Sequence, residues 1–256
     1  KTNSGSEFCI KSKHTVVACG GINGNLERVR KEWDSSFGIP PSNLLNGSDP
    51  SANGFTHNKV KSIGGKITNL HQMWNYAAGI RNPDAEFEHH GLSLLPPRSA
   101  LWMDCYGNRV GPDPMMGGFD TNRLCQRLGH LDNQSAWLIL NKKIALKEMA
   151  ISGSDQNPLF RDKKFFALLW QTIITGNTEL YNWMVDDCPD VVIGKNLDDL
   201  VRNMNKVTDK CLVDINNLKR DISLYDQQIK LGPKYHNDEQ LRRIEQIRHY
   251  SSDKAR

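Results

Sequence analysis

Apolar positions in the last quarter of the chain recur at helical spacing. Leu197, Leu200, Val201 and Met204 share one face after Asn196. Ile215, Leu218, Ile222, Tyr225 and Ile229 do so after Asp214, and Leu241, Ile244 and Ile247 after Asn237, with Gln240 three residues on. The pattern predicts three successive amphipathic helices. Each buried Leu or Ile contributes roughly 1.5–3 kcal/mol, whereas propensity alone leaves helices this short marginal. The faces must therefore cover a core or a partner.

At the other end, Glu7–Ile10 and His14–Cys19 are short strand-like runs, and the second leads into Gly20-Gly21-Ile22-Asn23-Gly24-Asn25. Asn25 is a good N-cap for a helix carrying Leu26, Val29 and Trp33, with Glu27 near the positive end of its dipole. Between about residues 40 and 136 breakers dominate, among them Pro40-Pro41, Asn46-Gly47, Gly64-Gly65 and Pro96-Pro97. One helix fits there, Ala52–Ile63, delivering the chain into a short strand at Lys66–Asn69. Leu101–Cys105, a turn at Tyr106-Gly107-Asn108 and Arg109-Val110 read as a hairpin. Thr121–Arg127 suggests a helix, Trp137–Leu140 a strand, and Asn141 the start of a helix carrying Ile144, Ala145, Glu148 and Met149. No period of 20 to 50 residues recurs, which argues against a repeat solenoid.

Composition narrows the class. The 256 residues are 38% hydrophobic and 24% charged, as in ordinary globular proteins. No run approaches the roughly 18 apolar residues of a membrane helix, and the opening KTNSGSEFCIKSK has no apolar signal core. A soluble, cytoplasmic chain is expected. Thirty-three Lys plus Arg against 29 Asp plus Glu gives +4, spread thinly. The densest basic stretch, Arg242, Arg243, Arg248 and His249, alternates with Asp238, Glu239 and Glu245 and reads as a solvated face, so nucleic-acid binding is not expected. Six cysteines without a C-x-x-C pair read as free thiols, most of them packed as small hydrophobes. His89-His90 reads as a surface or loop pair, because adjacent strand side chains point to opposite faces and share a metal poorly.

The glycine turn lacks G-x-G-x-x-G spacing and an acidic residue at the expected distance, so alone it suits a plain turn as well as a cofactor edge. Taken with HQMWNYAAGI, HHGLSLLPPRSALWMDCYGNRVGPDPMMGGFDTNRL, KEMAISGSDQNP and LDDLVRNMN, the stretch HTVVACGGINGNLERVRKEW resembles the FAD-binding dehydrogenases. These are flavoproteins similar to 3-ketosteroid dehydrogenases and, more distantly, to soluble fumarate reductases. The resemblance runs from about Phe8 to Tyr250.

The resemblance implies a dinucleotide-binding domain holding FAD, with a cap over the flavin ring, and it places this chain in the middle of such a protein. Residues 1–38 would be the last FAD-domain segment and residues 39–256 the cap. The expected fold is α+β, a mixed sheet of short strands with a helical C-terminal third. Hydride exchange with flavin at a C–C bond next to a carbonyl would be the chemistry. Gly20, Gly21, Gly24 and Asn25 would approach FAD. Asp120 and Tyr106 would serve catalysis, and Tyr76, Arg123, Asp155, Gln156 and Asn157 would meet a small substrate, steroid-like or a dicarboxylate. Pyrophosphate-binding segments of the family have no counterpart here, so FAD should bind only if further segments or a separate FAD-binding chain complete the site.

Simpler roles stand beside these. Asp120 suits the cap of the helix at Thr121, Asp155–Pro158 is ordinary turn composition, and Trp74 and Tyr76 suit core packing. The chain departs from the family pattern at His71-Gln72, Asn75, Ala77-Ala78, Phe119 and Asp155. The alternative is a catalytically inactive fragment or an interaction module. A hydrolase is disfavoured, since no G-x-S-x-G elbow is present.

Overall fold

The computed structural model describes residues 5, 9–111, 121–208 and 212–247. Asn25 caps α1 (Leu26–Lys31), accepting from the Arg28 N–H at 2.9 Å, and Val29 is buried. A 3-10 turn follows at Ser35–Phe37. Helix α2 (Phe55–Ser62) starts later than the apolar pattern suggested, because Ala52 and Asn53 are held in the preceding turn by Asp49 and Ser51 carbonyls.

Strands β1 (Gly79–Arg81), β2 (Gly91–Leu95) and β5 (Ala150–Ile151) form one antiparallel sheet in the order β1-β2-β5. Strands β3 (Leu101–Met103) and β4 (Trp137–Ile139) form a second, with Trp102 opposite Leu138. Instead of one mixed sheet, the described strands thus make two small antiparallel ones, and the parallel element is an isolated Asn46–His90 bridge. The hairpin after β3 closes where Gly107 takes φ +85° and Asp104 accepts from the Tyr106 and Asn108 N–H groups.

Two predicted strands do not form. His14–Cys19 carries no regular structure and Val16 is 88% exposed, because a strand needs a neighbour and no described segment pairs with it. Lys66–Asn69 is irregular too, and Asn69 takes φ +60°. The remaining helices are α3 (Thr121–Gly129), α4 (Lys142–Glu148, capped by Asn141), α5 (Pro158–Arg161), α6 (Phe165–Trp170), α7 (Thr178–Asp187), α8 (Leu197–Val207), α9 (Ile215–Leu231) and α10 (Glu239–Ile247). A π-helical turn, Gln171–Thr175, continues α6. Asn196 and Asp214 cap α8 and α9 as expected. At α10 the capping contact comes from Asp238, which accepts from the Leu241 N–H at 3.1 Å, rather than from Asn237.

Three apolar clusters result. Leu101 and Met103 pack with Val201, Met204, Leu218, Tyr225 and Leu241. Leu92 and Ile151 pack with Leu180, Met184 and Cys188 of the α7 region. Trp102 and Val110 pack with Leu124 and Leu128 of α3.

Candidate functional site

A cleft of about 2190 Å3 runs between these clusters. Leu26 and Trp33 of the α1 region, the β1–β2 sheet, Ile222 and Tyr225 of α9 and Ile244 of α10 all reach it. Its size exceeds the roughly 300–1,000 Å3 of a single small-molecule pocket. The wall holds an unusual set of polar atoms. Trp33 Nε1, Asn75 Nδ2, Ser93 Oγ, Trp102 Nε1 and both ring nitrogens of His236 are buried without a hydrogen-bond partner among the described residues, and each of these side chains lines the cleft. Buried polar groups left unpaired cost roughly 1–3 kcal/mol each, and these belong to residues along the cleft although the atoms themselves are covered by protein. Sequence reading passed over these residues, since nothing local marks a donor as unpartnered.

The predicted residues divide. Tyr76, Asp155 and Gln156 line the cleft, and Trp74 joins them rather than packing in a core. Tyr106 lies outside it, on the hairpin turn, where its carbonyl accepts from the Asp214 N–H at 3.1 Å. Arg123 is exposed on α3, outside the cleft. Asn157 uses its amide to hold the carbonyls of Ile151 (2.7 Å) and Gly153 (2.6 Å), fixing the loop that presents Asp155 and Gln156. Asp120 lies outside the described residues.

Arg81, Cys125, His89 and His90 near the cleft are engaged locally. Arg81 donates from backbone and guanidinium to Asp190 on the rim, and that contact raises the Arg81 pKa. Burial pushes the Cys125 thiol up to about 11, which disfavours the thiolate. His89 takes φ +60° beside Glu88 while His90 stacks on Phe87, which makes them the loop pair anticipated. Among the described residues no group of three or more His, Cys, Asp or Glu is placed to hold a metal ion.

The glycine turn fits FAD only in part. Gly21 has open space where a Cβ would stand, and Gly20, at φ +80°, meets only Ala52. Gly24 is committed to packing: a Cβ there would lie 2.2 Å from the Asp49 carbonyl oxygen. The Asn25 side chain is taken up by the cap of a helix only six residues long. Gly20 and Gly21 thus leave room for the edge of a cofactor, whereas Gly24 and Asn25 are engaged in packing and capping.

No protein-family model and no solved structure matches the chain. Curated proteins do. The KsdD-like steroid dehydrogenase of Mycolicibacterium smegmatis is 32% identical over 248 residues, covering 97% of this chain and 45% of that protein. Two Mycobacterium tuberculosis proteins of the same name are likewise 32% identical over 248 residues, with 97% and 43% covered. This chain is homologous to the KsdD-like steroid dehydrogenases. The family resemblance carried by the five sequence stretches is thereby borne out. The chain spans less than half the length of these KsdD-like relatives, which carry the matching region within one longer polypeptide and so lend no support to a separate FAD-binding chain.

Proposed function

We propose that the chain is the substrate-capping part, residues 39–256, with an adjoining FAD-domain segment, residues 1–38, of an FAD-dependent oxidoreductase of α+β fold that acts on a C–C bond next to a carbonyl. The observation that carries this reading is the 248-residue match to proteins named steroid dehydrogenases. A steroid-like substrate is large and mostly apolar, which agrees with a roomy cleft whose lining includes Trp74, Tyr76, Leu92, Trp137 and Ile222. In this reading Tyr76, Asp155 and Gln156 supply the remaining polar contacts, and Asn157 holds their loop. The FAD dependence comes with the family, and groups beyond the Gly20–Asn25 turn must bind most of the cofactor.

The test is the visible spectrum of the polypeptide purified from its own host, followed by dye reduction with a 3-ketosteroid. A stoichiometric yellow complex that reduces the dye supports the proposal. A folded protein that stays colourless after FAD is added in saturating excess, and reduces no dye, would overturn it. A second reading, a catalytically inactive fragment or interaction module, is favoured by the position of Tyr106 and Arg123 away from the cleft; the colourless outcome would select it.

A further inference from the structure

Lys142 and Tyr181 meet on the wall of the cleft. Lys142 is the first residue of α4, and Tyr181 lies one turn into α7. The Asn177 N–H donates to the Leu146 carbonyl at 2.7 Å, which sets the start of α7 against α4, and the Lys142 ammonium stands over the Tyr181 ring, 5.1 Å from its centroid. Both residues line the cleft, whereas the adjacent Lys143 does not. Lys142 is exposed and Tyr181 half-buried, so the pair stands where the wall meets solvent.

Among the described residues two Lys or Arg side chains line the cleft, and their surroundings differ. The Arg81 guanidinium is matched by Asp190 at 2.6 Å. Lys142 forms no ion pair with a carboxylate among the described residues. An aromatic face attracts a cation through its quadrupole but cancels none of its charge, so the full positive charge of Lys142 faces the cleft. The Tyr181 hydroxyl likewise meets no hydrogen-bond partner among the described residues. No Asp or Glu of α4 or α7 lines the cleft. What these helices add beside the pair is apolar: Ala145, three residues on from Lys142, and Met184 and Val185, three and four on from Tyr181, lie one turn further along each helix and line the same cleft. An ammonium and a phenol are both hydrogen-bond donors, and charge-assisted bonds to an ionised acceptor are about twice as strong as neutral ones. Two such donors at the edge of an apolar wall match a ligand with an apolar body and one carboxylate.

We propose, resting on the steroid-like substrate proposed above, that Lys142 and Tyr181 form a subsite for the carboxylate of a steroid acid whose apolar body lies along the cleft. Isothermal titration calorimetry of the chain with dehydrolithocholic acid, a 3-ketosteroid acid, and with its methyl ester tests this, both probes being kept below their micelle concentrations. The acid should bind roughly tenfold tighter than the ester at low salt, and the gap should narrow as salt screens the ammonium. Lys142→Met should remove the preference and leave the ester within about twofold of its wild-type affinity, whereas Lys142→Arg, which keeps the charge, should retain it. Tyr181→Phe keeps the ring under the ammonium and removes only the O–H, so it should weaken the acid about threefold and the ester hardly at all. Lys143→Met, off the cleft, should change neither. An ester that binds as tightly as the acid, a preference that survives Lys142→Met, or one that Lys143→Met also abolishes overturns the subsite and leaves the steroid reading standing. Binding of neither probe overturns the steroid reading and the subsite with it.

Discussion

The guanidinium of Arg109 lies 4.7 Å above the ring centroid of Tyr225 and donates to both Asp238 oxygens and to Gln240, tying the β3 hairpin to α9 and α10. The Asp238 side chain is only 13% exposed, so removing its partner strands a carboxylate. Arg109→Met should destabilise the chain by about 3 kcal/mol, read as a lower urea midpoint at pH 7. An unchanged midpoint would show that the contact is incidental.

The same pair fixes a pH response. Burial alone would raise Asp238, but hydrogen bonds from Arg109 and the Leu241 N–H, with the Arg109 charge, hold it below the usual carboxylate range. A carboxyl depressed in the folded state contributes stability that is complete above its unfolded pKa of about 3.9 and fades as pH falls through the folded value. Urea midpoints measured from pH 6 to pH 2 should therefore drop below about pH 4, and Asp238→Asn should start lower and show a shallower drop.

Gly24 and Gly21 should part company. Gly24→Ala places a methyl against the Asp49 carbonyl and Pro50 and should cost about 2 kcal/mol or more. Gly21→Ala meets nothing within 4 Å and should change stability by less than about 0.5 kcal/mol. Thermal melts of the two variants decide it, and equal losses would contradict the packing described.

Thiol reactivity should follow burial. Exposed Cys9 and Cys19 should alkylate first at pH 8, whereas Cys125, protonated up to about 11, should label only on unfolding. Peptide mass spectrometry after timed iodoacetamide exposure gives the order, and early labelling of Cys125 would refute it.

The 256-residue chain by itself should bind FAD only weakly, because Gly24 and Asn25 are already engaged in packing and capping. Flavin fluorescence titration should show no saturation below about 1 μM, the level that corresponds to roughly 8 kcal/mol. Tight, stoichiometric quenching would mean that a complete cradle exists.

What could be read from the sequence was local. Asn25, Asn141, Asn196 and Asp214 announce their helices because a cap side chain and the N–H that donates to it lie within three residues. His14–Cys19 misleads because its β-branched residues need a partner strand that no described segment offers. Helix α6 and the π turn after it were missed because FFALLWQTII is apolar without a period, so neither template of spacing fits it. At the cleft, Tyr76, Asp155 and Gln156 were found through family likeness. His236 and Trp102 were not, since their lack of partners is a property of packing alone.

Strand β3 is three residues long, yet it belongs to two of the apolar clusters at once, with Leu101 and Met103 facing the terminal helices and Trp102 facing α3. Neither cluster can open without stripping one side of this strand. These two of the three clusters should then melt as one cooperative unit, with the amides of β3 exchanging with solvent no faster than that unit unfolds.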